Sequence, residues 1–442
     1  MALSGLDIYK LLPKTNCKEC GFATCLAFAM QLAKKAVSVE KCPHIGADAK
    51  ATLEAQAQPP IKLIAIGAGE NRFEVGNESV MFRHEEKFHR PCGLGFIIED
   101  SLTDGDIKTR LSKINSLIFE RVGQELKVNL VAVKQTGTET RFLEAVKLVK
   151  DNTTLGLVLI SSEPDPLVKA LQVTAGLSPL VYATVKGGAG KLAKACVDSK
   201  ASLVAEASDL EGVVKLTAEL AGIGAQNLVI HTGKKSITDK LWDLTQIRRL
   251  ALKKSNRALG YPVLVIPDNS EIYSEAMEAA TYIAKYAGIV LLKNIESWEA
   301  LSLLTLRQNI YTDPQKPLQI EPKLYPVGQV SDKSPVLVTT NFSLSYYTVL
   351  GEVEASKVPS YIVSVDTEGM SVLTAWAAEK FTPEKISDTL NKFGVSEAVK
   401  HKQLIIPGYV AVMSGDLEEQ SGYKIIVGPK EAAGIPSFLK NL

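Results

Sequence analysis

The sequence predicts an α/β protein built of three parts: a small cysteine-rich module, a central (β/α)8 TIM barrel and a carboxyl-terminal open α/β domain of Rossmann-like type. Four of the six cysteines lie between Cys17 and Cys42. Further along the chain, eight short apolar runs alternate with amphipathic stretches, and a shorter series of the same kind follows a proline-rich segment. Strands buried on both faces read as continuous apolar runs, so this alternation predicts two parallel sheets.

Length, charge and composition restrict the class of protein. A chain of 442 residues is long enough for several domains, each with its own core. The net charge of +1 and the aromatic content of 6% predict neither nucleic-acid binding nor attachment to an anionic membrane. No apolar run approaches the roughly 20 residues of a membrane helix, and the start of the chain does not resemble a secretory leader. We therefore expect a cytoplasmic protein.

The cysteine-rich segment has the spacing of a metal or cluster site. It reads Cys17-Lys-Glu-Cys20-Gly-Phe-Ala-Thr-Cys25, and sixteen residues intervene before Cys42, which Pro43 follows directly. Four thiolates at short spacing can hold an iron–sulfur cluster or a tetrahedral zinc ion. Zinc ribbons repeat one tight pair, whereas these gaps differ, and a proline after the last ligand is typical of bacterial four-iron sites. We predict a [4Fe-4S] cluster on these four cysteines, with zinc, disulfides or free thiols as the alternatives.

Shifts in composition predict the domain boundaries. The segment around Pro59 and Pro60 reads as one linker, and four prolines between residues 312 and 326 mark a second. The predicted parts are the [4Fe-4S] domain at 1–57, a linker at 58–92, the barrel at 93–311, a linker at 312–325 and the open α/β domain at 326–442.

Eight strand–helix units predict the barrel. The predicted strands are residues 94–99, 128–133, 156–161, 180–184, 202–206, 227–231, 263–267 and 288–292, and the first predicted barrel helix is 107–122. The polar residues that follow these strands are Glu99, Asp100, Lys134, Glu163, Glu206, His231, Asp268 and Lys293. No pair of them has the spacing of a known acid–base or metal motif, so helix caps and loop ion pairs are the favoured interpretation. The segment from Lys186 to Lys191 lacks two residues of a phosphate loop and is predicted to be a turn.

The carboxyl-terminal domain has loops suited to a ligand at the ends of its strands. The predicted strands are residues 335–340, 360–365, 403–406 and 424–428. Small, hydroxyl-bearing and glycine residues follow them, and ligands of open α/β sheets bind at the carboxyl ends of the strands. Such loops suit a large, flat, neutral ligand with amide groups at its edge, and they suit phosphate poorly. Ordinary α/β turns are the alternative.

Together, the four-cysteine segment, the barrel and the segment Thr367-Glu-Gly-Met-Ser-Val-Leu-Thr-Ala375 resemble the large (gamma) subunits of corrinoid iron–sulfur proteins of the reductive acetyl-CoA (Wood–Ljungdahl) pathway. The resemblance covers the whole chain and includes all four cluster cysteines. It implies a methyltransferase-type carrier with a cobalamin-type corrinoid, whose Co(I) accepts a methyl group from methyltetrahydrofolate and donates it to acetyl-CoA synthase. The [4Fe-4S] cluster would reductively reactivate Co(II). The implied partners are a small (delta) subunit, a methyltetrahydrofolate methyltransferase, acetyl-CoA synthase/CO dehydrogenase and an electron donor such as ferredoxin.

The resemblance also assigns residues to the corrinoid. It implies that cobalt is held base-off, with Thr374 near its lower face. The sequence agrees, because none of the five histidines lies in an Asp-x-His-x-x-Gly motif that would supply an axial ligand. Without a strong axial donor, cobalt is easier to reduce. The implied corrinoid contacts are Thr340, Tyr346, Gly369, Met370, Ser371, Val372, Leu373, Thr374, Ala375, Gly408, Ala411, Gly428, Pro429 and Gly434.

Two other functions fit parts of the sequence. In the first, the barrel is itself a pterin-dependent methyltransferase, and the cysteine module supplies it with electrons. That enzyme would turn over methyltetrahydrofolate without a second protein. In the second, zinc stabilises a scaffold that has no redox role, and the purified protein would be colourless.

Overall fold

The computed structural model describes residues 5–33, 36–46, 49–50, 53, 59–69, 72–185 and 187–442. The chain divides by its contacts into two units, residues 1–118 with 126–311, and residues 119–125 with 312–442. Lys186, the first residue of the predicted glycine-rich turn, and the predicted boundary at residue 57 lie outside the described residues. Among the described helices, none combines the length and the apolar character needed to cross a bilayer.

A small helical module begins the chain. α1 (Gly5–Leu11) packs on α2 (Cys25–Ala33), and a 3-10 turn (Val39–Lys41) precedes Cys42. Cys25 and Cys42 are buried in the core of the module, with Ile8, Leu12, Phe28, Ala29, Val39 and Leu53. Because two thiols belong to so small a core, the stability of the module depends on what the cysteines bind.

The predicted linker at 58–92 is wrong in part, because this segment contains a packed hairpin. β1 (Ile64–Ile66) pairs antiparallel with β2 (Phe73–Val75). The alternating side chains Ile64, Ile66, Phe73 and Val75 are buried among the residues of the barrel core. Gly93 and Gly156 begin two barrel strands, and a β-carbon at either would meet Phe73 or Ile66 at close range. The hairpin therefore covers the amino ends of the barrel strands.

The predicted (β/α)8 barrel is confirmed. Eight parallel strands follow the order β10-β9-β8-β7-β6-β3-β12-β11, and a parallel bridge between Ile230 and Val263 joins the two ends of this series. The strands are β3 (Gly93–Glu99), β6 (Leu130–Lys134), β7 (Gly156–Ser161), β8 (Leu180–Ala183), β9 (Ser202–Glu206), β10 (Leu228–His231), β11 (Leu264–Val265) and β12 (Ile289–Leu292).

Eight helices alternate with these strands. They are α3 (Asp104–Asn115), α4 (Glu139–Asn152), α5 (Pro164–Val173), α6 (Gly188–Asp198), α7 (Leu210–Gly222), α8 (Ile237–Lys253), α9 (Ile272–Ala284) and α10 (Ser297–Tyr311). Most begin at a side-chain cap; Thr103, for example, accepts a hydrogen bond from the backbone N–H of Asp106. A 3-10 turn (Arg257–Leu259) follows α8.

The first barrel helix ends earlier than the predicted residue 122. α3 stops at Asn115, and a hairpin of β4 (Ile118–Arg121) and β5 (Gln124–Lys127) follows. Val122 and Gly123 both have positive φ, 56° and 68°. Two such residues form the tight turn whose twist matches a two-residue hairpin. The tip of this hairpin, residues 119–125, groups with the carboxyl-terminal unit, where Val122 packs beside Ile320.

The carboxyl-terminal unit is an open α/β sheet of order β13-β15-β14-β16-β17. β13 is antiparallel and the other four strands are parallel. In chain order the parallel strands are arranged 2-1-3-4, the flavodoxin-like order, so the narrower description Rossmann-like is not supported. The strands are β13 (Leu324–Val327), β14 (Val336–Thr340), β15 (Ser360–Val365), β16 (Gln403–Ile406) and β17 (Lys424–Val427). β13 begins inside the predicted linker at 312–325.

Short helices cover both faces of this sheet. α11 (Ser343–Ser356) connects β14 to β15, and the chain then crosses to the other side of β14 before it forms β16. β14 therefore lies at the point where the strand order reverses, which is the usual ligand position in such sheets. The remaining helices are α12 (Val372–Ala377), α13 (Pro383–Lys392), α14 (Val395–Ala398), α15 (Ser414–Ser421) and α16 (Ile435–Lys440), with 3-10 turns at Gly408–Met413 and Ala432–Gly434.

Candidate cofactor sites

The loop around the first two cysteines has an unusual backbone. Lys14, Asn16, Lys18 and Gly21 all have positive φ, between 50° and 84°. When left-handed residues alternate with residues of ordinary backbone conformation, the successive N–H groups point towards the same side of the chain. They then form a concave site that binds anions, including iron–sulfur clusters. Three of the four are not glycine, so this conformation is costly and needs a compensating interaction. A bound anionic cluster would supply it.

The other two cysteines are held by helical structure. Cys25 is the first residue of α2, and its backbone N–H donates to Asn16 Oδ1 at 2.8 Å. Cys42 follows the 3-10 turn and donates its N–H to the carbonyl of Val39 at 3.2 Å. Cys25 and Cys42 are buried, whereas Cys17 and Cys20 are half-buried. The four thiols thus lie at the edge of an apolar core with one side open.

Part of this segment brings potential metal ligands together. Among the described residues, Cys17, Glu19 and His44 offer ligand atoms that lie within 4.8 Å of one another. His44 Nε2 lies 3.0 Å from Glu19 Oε2.

A pocket of about 320 Å³ opens at the carboxyl edge of the second sheet. It lies between the ends of β14 and β16, at the position where the strand order reverses. Its lining is mainly apolar, with a few hydroxyl groups and Lys430. Four residues predicted from the sequence line it: Ser371, Val372, Gly428 and Pro429.

Two further predicted glycines shape the wall of this pocket. A β-carbon on Gly408 would lie 2.6 Å from the carbonyl oxygen of Gly428, and one on Gly434 would lie 2.8 Å from the Pro429 Cβ. These glycines allow the loops after β16 and β17 to touch. Gly369 has a different reason to be glycine: its φ is +76°, and a β-carbon would meet the Gln319 side chain.

Three predicted contact residues are buried and do not line the pocket. Thr340 and Ala375 are fully buried, and Tyr346 is 6% exposed and packs against Tyr325 with ring centroids 4.8 Å apart and ring planes inclined at 52°. Neighbouring residues on a strand point to opposite faces, so Thr339, not Thr340, lines the pocket. The Thr339 hydroxyl is buried and has no hydrogen-bond partner among the described residues.

Sequence reasoning predicted a helix at about 343–356 but did not assign it to the site. Leu344, Ser345, Thr348 and Val349 of α11 line the pocket. A signal was present, because residues 343–351 contain no charged side chain and these four positions share one face of a helix. Tyr409 and Lys430 are among the other lining residues that were not predicted as contacts.

Large apolar side chains surround the pocket at the protein surface. Leu344, Leu373, Trp376, Tyr409 and Val412 are each at least 43% exposed, and Val412 reaches 74%. They belong to α11, α12 and the 3-10 turn at Gly408–Met413, which follow β14, β15 and β16. Leu344 and Tyr409 also line the pocket. Exposed apolar surface beside a pocket is typical of a binding site for a ligand or a partner.

The loop between β15 and α12 joins this surface to the pocket. Asn341 Oδ1 accepts hydrogen bonds from the N–H groups of Thr367 and Gly369 and from the Thr367 hydroxyl, at 2.9 to 3.0 Å. These bonds fix the loop that leads to Met370, which is half-buried. Thr374 is exposed, and its hydroxyl lies 3.0 Å from that of Ser371. Ala411, half-buried, lies in the turn after β16.

Comparison with known proteins identifies the family. The family described as "CO dehydrogenase/acetyl-CoA synthase delta subunit" matches residues 63–439, and the one described as "Putative Fe-S cluster" matches residues 12–44. The "Corrinoid/iron-sulfur protein large subunit" of Moorella thermoacetica is 41% identical over 100% of this chain and 99% of its own length. This chain belongs to the family of corrinoid/iron–sulfur protein large subunits.

Archaeal members of the family are more distant. The "Acetyl-CoA decarbonylase/synthase complex subunit gamma" of Methanothermobacter thermautotrophicus is 34% identical over 100% of this chain and 99% of its own length. Among solved structures, a dihydropteroate synthase from Thermus thermophilus covers 50% of this chain and 95% of its own length, with 12% identity and a TM-score of 0.37. That likeness is too weak to support a conclusion about the activity of the barrel.

Within this family member, the polar residues at the carboxyl edge of the barrel mostly bind one another. Lys134 Nζ donates to Glu99 at 2.9 Å. Asp100 is fully buried, and its Oδ1 accepts from the Thr136 N–H and hydroxyl at 2.7 Å and from the Gly137 N–H at 3.0 Å. Lys293 Nζ donates to the backbone carbonyl of Asp268 at 3.0 Å. Glu163 occupies the cap position of α5.

His231 and Glu206 form the most perturbed part of this edge. His231 is 6% exposed, and burial lowers its pKa to about 4, so its ring is neutral. Its Nδ1–H donates to the Leu264 carbonyl at 3.0 Å. Burial raises the pKa of Glu206, whose carboxylate accepts the Tyr182 hydroxyl at 2.9 Å. These interactions agree with the interpretation that the polar residues after the barrel strands stabilise the fold.

Proposed function

We propose that this chain is the cluster- and corrinoid-bearing subunit of a methyl carrier of the acetyl-CoA pathway. The observation that supports this most is the carboxyl edge of the second sheet, where an apolar pocket opens into an exposed apolar surface at the point of strand reversal. A four-cysteine module in the same chain supplies a redox centre. The relative from Moorella thermoacetica is named a corrinoid/iron-sulfur protein large subunit.

The cofactors supply the reactive chemistry. When bound, the corrinoid would supply a cobalt that takes a methyl group from methyltetrahydrofolate and gives it to acetyl-CoA synthase, and the [4Fe-4S] cluster would supply the electron that restores Co(I) after oxidation. The partners would be the small (delta) subunit, a methyltetrahydrofolate methyltransferase, acetyl-CoA synthase/CO dehydrogenase and a ferredoxin-like donor. We place the protein in the cytoplasm, where thiols remain reduced.

The size of the pocket supports a base-off corrinoid. A corrin ring with its amide side chains is far larger than about 320 Å³, so the ring would lie on the exposed surface of Leu373, Trp376 and Tyr409. A lower base released from cobalt is a small flat aromatic group and would enter the pocket. There the unpaired Thr339 hydroxyl would bond to it.

The chain would hold the ring by small residues and exposed apolar side chains. Ser371, Val372, Gly428 and Pro429 line the pocket below the ring, and Gly408 and Gly434 let the loops close around it. We propose that Thr374 lies under cobalt without binding it, because its hydroxyl already pairs with Ser371. Met370, Leu373, Ala411 and Gly369 belong to the loops that would frame the ring.

The amino-terminal module would hold the cluster and keep it partly accessible. The left-handed backbone at residues 14–21 would direct N–H groups towards the cluster sulfurs and stabilise its negative charge. Burial of Cys25 and Cys42 keeps water from one side. The half-buried Cys17 and Cys20 leave the other side open to a donor protein.

Metal analysis of anaerobically purified protein, co-produced with the small subunit, tests this proposal. We expect about four iron and one cobalt per complex and a base-off corrinoid spectrum that Thr374→Ala leaves unchanged. Cys20→Ser should remove iron and leave cobalt. Iron without cobalt, with methyltetrahydrofolate turnover by the chain alone, would favour the pterin-dependent barrel. Zinc with neither iron nor cobalt would contradict both.

A further inference from the structure

A pocket of about 300 Å³ opens at the amino ends of the barrel strands. Among its lining residues, Asn129 and Leu155 directly precede β6 and β7, and Pro91 lies shortly before β3. We call it the arginine pocket. Its charged lining residues are four cations and one carboxylate: Arg72, Arg90, Lys127, Arg307 and Glu74. The lining therefore carries a formal charge of +3, whereas the net charge of the whole chain is only +1.

Two of these arginines are partly exposed and share the one carboxylate. Arg72 Nη2 lies 3.1 Å from Glu74 Oε1, and Arg90 Nη2 lies 2.9 Å from Glu74 Oε2. The side chains of Arg72 and Arg90 are 53% and 41% exposed, so a ligand from solvent can reach them. Because a single carboxylate serves two guanidinium groups, one positive charge remains uncompensated in this trio. Guanidinium groups bind carboxylates and phosphates through paired hydrogen bonds.

Arg307 adds a buried positive charge that has no acid beside it. The residue is 9% exposed, and its Nη1 donates to the Cys92 carbonyl at 3.0 Å and to Asn129 Oδ1 at 2.6 Å. Its Nη2 donates to the Lys127 carbonyl at 3.0 Å. All three acceptors are neutral, and they use three of the five N–H donors of the guanidinium. Burial lowers the pKa of Arg307, because a cation away from water is costly without a paired anion.

A second buried arginine of the barrel unit has the acid that Arg307 lacks. Arg248 is 5% exposed, and its Nη2 lies 3.0 Å from Glu78 Oε2. Arg307 lines an open pocket instead, together with the two partly exposed arginines. This difference between two buried guanidinium groups indicates that the arginine pocket has room for an anion that the chain itself does not supply.

We propose that the arginine pocket binds a small organic phosphate. A phosphate monoester carries a charge near −2 at pH 7 and has three strong acceptor oxygens, so it can bind the exposed arginines and Arg307 together. The apolar lining residues Phe73, Pro91, Val128 and Leu155 would contact the organic part of the ligand. A volume of about 300 Å³ is at the small end of ligand pockets. None of these residues belongs to a candidate cofactor site, so binding here does not depend on the proposed function.

Calorimetric titration with adenosine 5′-monophosphate (AMP) tests the proposal. The anaerobically purified full-length protein would be titrated in a buffer free of phosphate and sulfate. We expect one AMP to bind per chain, and inorganic phosphate to compete with it because both need the same arginines. Adenosine has no phosphate and should not bind. AMP should also raise the melting temperature, because it binds the folded state.

Substitutions at the exposed part of the pocket should change the affinity in opposite directions. Arg90→Gln should weaken AMP binding about tenfold, because a charge-assisted hydrogen bond is lost. Glu74→Gln should tighten it about threefold, because a carboxylate no longer competes for the two arginines. Both variants break the same ion pair, so a purely structural role would change them alike. Arg307 also joins the amino ends of the strands, which makes the exposed Arg90 the better position to replace.

Arg249→Gln is the matched control, because Arg249 is an exposed arginine of α8 that does not line the pocket. Its affinity for AMP should equal that of the unsubstituted chain. Three results would overturn the proposal. The first is no saturable binding of AMP or inorganic phosphate. The second is unchanged AMP affinity in both Arg90→Gln and Glu74→Gln, which would place the phosphate elsewhere. The third is binding of citrate without binding of AMP or phosphate, which would assign the pocket to a polycarboxylate.

Discussion

Two parallel sheets in this protein end differently at their carboxyl edges. In the barrel, the residues after the strands are charged or polar and bind one another, as Glu99 binds Lys134 and Asp100 binds three donors. In the carboxyl-terminal sheet, Asn341 and Asp366 follow β14 and β15 and share a hydrogen bond. Pro407 and Gly428, which follow β16 and β17, are apolar or small, and they line a pocket whose Thr339 hydroxyl is unpaired among the described residues. Both edges are positions where α/β folds bind ligands. Topology therefore indicates two possible sites, and the side chains decide which one is open.

The largest expected effect comes from removing the Asp100 carboxylate at the carboxyl edge of the barrel, which accepts three hydrogen bonds. In Asp100→Ala, the Thr136 hydroxyl and the N–H groups of Thr136 and Gly137 lose their acceptor, a fully buried carboxylate. We expect the barrel to lose roughly 3 kcal/mol of unfolding free energy, measured by denaturant titration, with the corrinoid content per folded chain unchanged. The exposed Asp198→Ala is the control and should stay within about 0.5 kcal/mol. Loss of corrinoid without loss of stability would mean that the barrel edge belongs to the cofactor site.

A second prediction concerns a buried acid in the first turn of α10. Burial, with the nearby charges of Glu275 and Glu296, raises the pKa of Glu299 to about 8, and neither carboxyl oxygen has a hydrogen-bond partner among the described residues. The folded chain then keeps a proton that the unfolded chain loses near the ordinary glutamate pKa of 4.5. Stability is therefore complete at low pH and falls as the pH rises from about 5 to 8.

Glu299→Gln should remove this dependence, because glutamine stays neutral. We expect its melting temperature to exceed that of the unsubstituted chain by about 3 °C at pH 8 and to match it near pH 5. In the exposed control Glu219→Gln, the difference in melting temperature from the unsubstituted chain should be the same at both pH values. If the difference for Glu299→Gln is also the same at pH 5 and pH 8, Glu299 is ionised in the folded protein.

The third prediction addresses the open edge. In Gly408→Ala, the new methyl group would lie 2.6 Å from the Gly428 carbonyl oxygen and would push apart the loops that wall the pocket. We expect corrinoid retention to fall about tenfold, with four iron per chain unchanged. Gly351→Ala in α11 is the control, because a β-carbon there meets nothing within 4 Å, and it should stabilise the helix by about 1 kcal/mol. Full corrinoid loading of the Gly408 variant would exclude this pocket as the site.

Most of the barrel could be predicted because its strands are uniformly apolar and its helices are periodic. The pairing of the hairpins escaped prediction for a physical reason. The run from Ile61 to Ile66, which includes β1, reads as a strand, but its partner β2 has only three residues inside a polar segment and is too short to recognise. The turn at Val122 and Gly123 places a β-branched residue at positive φ, which sequence propensity argues against.

The two candidate cofactor sites also differ in how far the sequence predicts them. The four cluster cysteines are a prediction from spacing, because one residue type at short intervals is a local signal, and the iron–sulfur family match at residues 12–44 includes all four. The pocket depends on which face of β14 each threonine occupies and on the packing of α11, and neither is local. Thr339 and Thr340 are adjacent and chemically identical, so the sequence offered no basis for choosing between them.

The smallest expected effect separates those two threonines. Both hydroxyls are buried and lack partners among the described residues, but only Thr339 lines the pocket. Replacing either by valine removes an unpaired hydroxyl, so both variants should gain up to about 1 kcal/mol of stability without corrinoid. With corrinoid, Thr339→Val should bind about fivefold more weakly, as measured by competition for a limiting amount of the cofactor, whereas Thr340→Val should bind normally. The reverse result would mean that the ligand approaches β14 from its other face, and the pocket would then have to be assigned to something other than the lower base.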